Sequence, residues 1–198
     1  MGIEFLEPSD IYEILDKAKG FTQQDLSGKS VAQTLDGFNI INIFFENSTR
    51  TQTSFEIAGK RLGALVTSIN VKDSSIKKGE TLFDTALTLN AMKPDLIVIR
   101  HPYSGAVQLL SEKIDCSVIN AGDGKHEHPT QALLDAMTVL RRKNRLSGLT
   151  VTICGDIAHS RVARSNIFLF GKLGNSIRLV GPATLVPECF KEFGVEVF

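Results

Sequence analysis

The chain is short of cysteine, has no excess of either charge, and carries none of the glycine-rich nucleotide loops. Three cysteines, Cys116, Cys154 and Cys189, stand among 198 residues. Their odd number and lack of ligand spacing argue against a disulfide framework and a zinc site, and buried free thiols in a reducing compartment are expected. Lysine plus arginine and aspartate plus glutamate number 22 each. That balance excludes a general nucleic-acid or anionic-membrane surface while leaving room for a local basic pocket. No apolar run approaches the length of a membrane span and no signal-peptide pattern opens the chain, so a cytoplasmic location is expected. Absence of Gly-x-Gly-x-x-Gly and of Gly-x-x-x-x-Gly-Lys-Ser/Thr speaks against the two common nucleotide loops, and absence of Gly-x-Ser-x-Gly against a hydrolase elbow.

What is present is a core-forming composition, 42% hydrophobic and 22% charged, sufficient for one large domain or two small ones. The most informative stretch follows the apolar run Ile40–Phe45, which is rich in β-branched and aromatic residues and short enough for a buried strand. Beyond it, Phe55, Ala58 and Leu62 recur at helical spacing and Gly63 closes the pattern. Ser48, Thr49, Arg50 and Thr51 therefore fall at a strand-to-helix turn. The N–H groups at a helix N-terminus lack intrahelical partners and lie at the positive end of the dipole. Three hydroxyls and a guanidinium added there suit an oxyanion, phosphate above all. The bland alternative is that Ser48 only caps the helix and Arg50 is solvated.

Elsewhere the pattern alternates. Ser9 reads as the N-cap of a first helix carrying Ile11, Ile14, Leu15 and Ala18 and closed by Gly20, with 21–38 as a polar connection. Strands are expected at 65–69, 96–99, 117–120, 149–154, 176–180 and 195–198, and helices at 81–92, 105–113, 129–142 and 161–173. Such alternation predicts an α/β protein with two doubly wound parallel-sheet domains, the second incomplete at the end of this chain. The basic run Arg141–Arg145 reads as the boundary, giving a first domain over 1–140 and a partial second domain over 146–198.

Four polar clusters follow predicted strands: Ser48–Thr51, Ser74–Lys78, Arg100 with His101, and His128–Gln131. Loops leaving the strands of an open parallel sheet share one edge, where ligands bind. Each cluster also has an ordinary reading: solvated lysines at 77 and 78, a carboxylate partner for Arg100, a helix cap for His128. The His126-Glu127-His128 spacing is compatible with a metal, but no second acidic or cysteine cluster supports one. The remaining reading is a site of donors that binds anions and stabilises a developing oxyanion.

Taken in order, Phe-Phe-Glu-Asn-Ser-Thr-Arg-Thr (44–51), Lys-Lys-Gly-Glu-Thr (77–81), Arg-His-Pro (100–102), His-Pro-Thr-Gln-Ala-Leu-Leu-Asp (128–135) and Gly-Asp-Ile-Ala-His-Ser-Arg (155–161) resemble the aspartate/ornithine carbamoyltransferase superfamily. The lysine loop and the form of the 128–135 motif resemble its aspartate-specific catalytic chains more than the ornithine enzymes. The resemblance implies carbamoyl transfer from carbamoyl phosphate to the amine of L-aspartate, a step of pyrimidine biosynthesis, with no metal or organic cofactor. It implies that Ser48, Thr49, Arg50 and Thr51 hold the phosphate and that Thr51, Arg100 and His128 polarise the carbamoyl oxygen. It further implies that Gln131 accepts a hydrogen bond from the carbamoyl amide and that Arg161 meets a carboxylate of aspartate. Ser74 and Lys78 would enter a neighbouring subunit's site, making a homotrimer with shared active sites, in some family members joined by regulatory or dihydroorotase chains.

Two departures accompany the resemblance. Gln52 stands where the family commonly has arginine, and family members continue well past the position of Phe198 with further aspartate-binding residues and a closing loop. The expectation from the latter is that 198 residues alone bind anions without turning over. Two other functions fit the same residues: a carbamoyltransferase for another amine such as ornithine, and a non-catalytic phosphate-binding or scaffold module.

Overall fold

The computed structural model describes residues 2–26, 34–70 and 81–198. They fall into two compact units, one formed by Gln24–Gly124, the other by Gly2–Gln23 together with Lys125–Phe198.

The first unit holds a parallel sheet of β1 (Asn39–Phe44), β2 (Leu65–Asn70), β3 (Leu96–His101) and β4 (Ser117–Asp123), in the order β2-β1-β3-β4. For numbering, α1 is the N-terminal helix Pro8–Leu26; within this unit α2 (Thr49–Arg61), α3 (Leu82–Ala91) and α4 (Ala106–Ser111) connect successive strands. The period-two alternation of strand side chains sends Ile41, Ile43, Ile97 and Ile99 into one core with Leu89 of α3 and Leu110 of α4. Ile40, Phe44 and Val98 enter a second core on the opposite side, with Phe55 of α2 packed against it. Strands covered on both faces read as the near-continuous apolar runs seen in the sequence. Gly59 lets α2 lie close to the sheet, since a Cβ there would stand 2.7 Å from Val66 Cγ2. Thr81 starts α3 with a capping box, accepting from Asp84 N while the Asp84 carboxylate accepts from Thr81 N.

The second unit contains a parallel sheet β5 (Thr150–Cys154), β6 (Ser176–Val180) and β7 (Glu196–Val197) in that order. Helices α5 (Pro129–Lys143) and α6 (Arg161–Lys172) belong with it. Its core joins Ile11 and Leu15 of α1, Ala132 and Ala136 of α5, Leu169 and Phe170 of α6, and Leu179 of β6. Burial of a leucine such as Leu169 or Leu179 contributes roughly 2 kcal/mol.

Several expectations are corrected. Helix α1 begins at Pro8 rather than after Ser9: proline at the first helical position sacrifices no hydrogen bond, and Asp10 accepts the N–H of Glu7 at 2.9 Å. It also runs through Gly20 to Leu26, so part of the expected connection is helical. The strands β3 and β4 continue past their apolar runs to His101 and Asp123. Arg141, Arg142 and Lys143 are the last turn of α5, where cations favour the negative end of the helix, and Leu146 just beyond is buried. All three cysteines are free, but Cys154 and Cys189 are exposed rather than buried. Among the described residues no helix is long and apolar enough to cross a membrane.

Candidate active site

The strand order places a switch point in the first sheet. From β1 the chain steps outward to β2, then crosses to β3 on the other side of β1, so the carboxyl ends of β1 and β3 lie side by side with their outgoing loops turned apart. Crevices at such points are the usual ligand sites of open α/β sheets. Phe44 and Arg100 are register partners there, and Phe45 N donates to Arg100 O at 2.9 Å.

Both ends carry the expected donors. Ser48 occupies the N-cap of α2 yet makes no side-chain cap bond; its hydroxyl donates instead to Thr51 Oγ1 at 2.9 Å. The capping reading of Ser48 therefore fails, and its side chain does not engage the first-turn N–H groups of α2. Thr51 Oγ1 also accepts from Arg100 Nη1 at 3.3 Å. With two bonds accepted, the Thr51 hydroxyl proton is left to donate elsewhere. Arg100 Nε donates to Glu46 Oε1 at 2.6 Å, with the Arg100 side chain 12% exposed. The expected carboxylate partner is thus real, and it aims the guanidinium at Thr51. Thr49 and Arg50 are exposed on the first turn of α2. A cleft of about 220 Å³ is lined by Phe44, Glu46, Asn47, Ser48, Thr49 and Gln52. Gln52, the departure noted in the sequence, thus borders this cleft as a neutral side chain.

His101, next to Arg100, turns inward. Its ring is buried against Phe45, with centroids 4.6 Å apart, and Nδ1 accepts the N–H of Tyr103 at 3.0 Å. Burial pushes this imidazole below its ordinary value of 6.5, against the opposite pull of the Glu46 and Asp123 carboxylates. Because the folded value lies below the unfolded one, the unfolded chain binds the extra proton first. The stabilising contribution is complete above 6.5 and is lost as pH falls through the folded value. His101→Gln should therefore show a shallower loss of urea midpoint than wild type from about pH 8 to about pH 5. Parallel curves for the two proteins would place the acid sensitivity elsewhere.

In the second unit, His128 is buried at the N-cap of α5 without a side-chain cap bond. Its N–H donates to Ser165 Oγ at 2.8 Å, and Thr130 Oγ1 lies 3.5 Å from its Nδ1. Gln131 Nε2 donates to Asp135 Oδ1 at 3.0 Å, while Asn166 Nδ2 donates to Asp135 Oδ2 at 2.8 Å. Asp135 therefore takes the donor end of Gln131 and leaves Oε1 as an acceptor. Arg161 is the first residue of α6, one turn before Ser165.

Ser48, Thr51 and Arg100 are thus brought together in one unit, and His128, Gln131 and Arg161 belong to the other. Ser74 and Lys78 lie outside the described residues. Sequence reasoning missed Glu46, Asp135, Glu127 and Ser165. The i,i+4 spacing of Gln131 and Asp135 is the one signal that was available. Glu46 meets Arg100 across 54 positions and Glu127 meets Ser165 across 38, which no local pattern announces.

Residues 1–141 match the family model described as aspartate/ornithine carbamoyltransferase, carbamoyl-P binding domain. Aspartate carbamoyltransferase catalytic subunits of Ruegeria pomeroyi and Roseobacter denitrificans are 62% and 63% identical over 198 residues. All of this chain is covered in both matches, and 64% and 63% of those relatives. The chain therefore spans just under two thirds of their length. Aspartate transcarbamoylase from Trypanosoma cruzi, solved with carbamoyl phosphate and aspartate, superposes with a TM-score of 0.89 at 33% identity, covering 99% of this chain and 64% of that one. The M. jannaschii aspartate transcarbamoylase catalytic subunit gives 0.87 at 34%, covering 100% and 66%. With the family model spanning most of its length, the chain belongs to the aspartate/ornithine carbamoyltransferase family.

Proposed function

We propose that the protein transfers the carbamoyl group of carbamoyl phosphate to the amine of L-aspartate, yielding N-carbamoyl-L-aspartate and phosphate in pyrimidine biosynthesis. The observation carrying this reading is the Ser48–Thr51–Arg100 constellation at the switch point of the first sheet. Ser48, Thr49, Arg50 and Thr51 take the phosphate at the N-terminus of α2, where backbone donors, hydroxyls and a guanidinium add up. Thr51, Arg100 and His128 donate to the carbamoyl oxygen, and Gln131 accepts from the carbamoyl amide. As the amine nitrogen bonds to the carbamoyl carbon, charge builds on that oxygen, and fixed donors stabilise it without reorganising. The C–O bond to phosphate then breaks as the amine nitrogen gives up a proton to the departing phosphate, which leaves as the hydrogen phosphate dianion already held by cationic and N–H groups. Arg161 binds a carboxylate of aspartate and so aligns the amine, and Ser74 and Lys78 complete a neighbouring subunit's site in a homotrimer. No metal or organic cofactor enters this scheme, and the protein works in the cytoplasm, with carbamoyl phosphate and aspartate as its small-molecule partners.

Thermal shift tests the reading. Phosphate, carbamoyl phosphate and N-(phosphonacetyl)-L-aspartate, each at a hundredfold its dissociation constant, should add about 2.7 kcal/mol of stability. A shift with the first two but no gain in affinity for the bisubstrate analogue over phosphate would favour another acceptor such as ornithine. No shift with any ligand would favour the scaffold.

A further inference from the structure

Glu127 precedes His128, and its side chain is fully buried. An ionised carboxylate tolerates such a place only when several donors hold it. Ile3 N donates to Oε2 at 2.9 Å, Glu4 N to Oε1 at 3.3 Å, and Ser165 Oγ to Oε2 at 2.7 Å. Ser165, also fully buried, in turn accepts the His128 N–H at 2.8 Å. On its other side His128 is fixed by the helix, for its carbonyl accepts from Gln131 N at 3.1 Å and Ala132 N at 3.3 Å. Both peptide groups flanking the His128 Cα are therefore held, one by α5 and one by the chain His128 N–H to Ser165 to Glu127. Gly2 belongs to the same arrangement: a Cβ there would stand 2.3 Å from Glu127 Oε1. Lys172 Nζ donates to Glu4 O and Leu6 O, both at 2.9 Å, and so fastens the N-terminal segment to α6. Glu4, His126 and Glu127 also form a group whose ligand atoms lie within 4.8 Å of one another. The Glu127 oxygens in that group already accept backbone and hydroxyl donors, which commits them to the support of the loop.

We propose that Glu127, acting through Ser165, is the positioning residue for the His128 imidazole, and that residues 2–4 are part of that support. The role given to His128 rests on the carbamoyl-transfer reading above; the linkage itself does not. A ring displaced by a fraction of an ångström stays close to its place but loses alignment with the carbamoyl oxygen, a loss felt mainly in the transition state.

The test uses the full-length protein with Ser165→Ala, Glu127→Gln and Gly2→Ala, read by steady-state kinetics and by the NMR shifts of the His128 ring. Expected is a fall in kcat of about tenfold to a hundredfold for Ser165→Ala and Glu127→Gln. KM for carbamoyl phosphate should change by less than about threefold, and Gly2→Ala should act in the same direction more weakly. All three variants should move the His128 ring signals. A purely structural role predicts lower melting temperatures with wild-type kcat per folded molecule and unmoved ring signals, and that result overturns the proposal. If Ser165→Ala does not fold, the other two variants decide. If the wild-type protein transfers no carbamoyl group, the functional reading fails by itself, and the ring signals in Gly2→Ala still settle the linkage.

Discussion

Arg100→Ala is expected to lower kcat/KM for carbamoyl transfer by about 10²- to 10³-fold, the scale of losing one preorganised donor to a developing oxyanion. Two losses combine in this variant. The guanidinium that reaches Thr51 at 3.3 Å disappears, so Thr51 loses one of the two donors that orient its hydroxyl. Glu46, bonded to Arg100 at 2.6 Å, loses that cation and keeps its negative charge on the lining of the proposed phosphate cleft. The second loss should appear as weakened phosphate binding, because like charges repel strongly at a partly desolvated site. The double variant Arg100→Ala with Glu46→Gln separates the two. It should recover phosphate affinity while kcat stays low. Steady-state kinetics with phosphate inhibition measures both, and near wild-type kcat/KM in the single variant would make Arg100 a structural partner of Glu46 only.

Much of the fold was legible because its signals are local. The strands β1 and β3 announce themselves by apolar runs, since helices cover both faces of the sheet. Pro129 and the basic residues at 141–143 mark the two ends of α5 by backbone geometry and dipole. The misses occur where a tertiary contact outweighs a local preference. Gly20 reads as a helix end, yet a glycine inside a helix costs only about 1 kcal/mol, and α1 carries Ile11 and Leu15 in the core of the second unit. Polar residues seemed to end β3 at Ile99. The strand nevertheless continues to His101, which pairs with Asp123 after a register shift between 99 and 101. The basic run Arg141–Arg145 imitates a linker, but its first three residues are the last turn of α5, whose Ala132 and Ala136 share a core with Leu169 and Phe170 of α6.

The site divides in the same way. Donor groups are legible as residue types at strand ends, because anion binding requires hydroxyls, guanidinium groups and a helix N-terminus in sequence proximity. What orients those donors is not legible. Glu46 sits inside the first motif, but nothing in the sequence says that its partner is Arg100 rather than solvent. Glu127 looked at most like a metal ligand between two histidines, and its actual contacts come from residues 3, 4 and 165. Supporting groups meet through space, so only the folded chain displays them.

Mixing two inactive variants should restore activity if sites are shared between subunits, as proposed for Ser74 and Lys78. In a full-length protein, Arg50→Ala removes a phosphate-binding cation from a chain's own site, and Lys78→Ala removes the cation lent to its neighbour. Each homogeneous assembly then has one defect in every site and should be close to inactive. In a hybrid ring, a Lys78→Ala chain followed by an Arg50→Ala neighbour forms one site with both cations intact. Random assortment of equal amounts makes about a quarter of all sites intact, so close to a quarter of wild-type activity is expected after dissociation and reassembly. The recovered activity should vary with mixing ratio and peak at equal amounts, which distinguishes shared sites from contamination by wild-type protein. Arg100→Ala mixed with Arg50→Ala serves as the control, because both defects lie within one chain's own site and no mixture can repair them. Hybrids verified by native mass spectrometry yet as inactive as their parents would place Lys78 and Arg50 in the same chain's site and end the shared-site proposal.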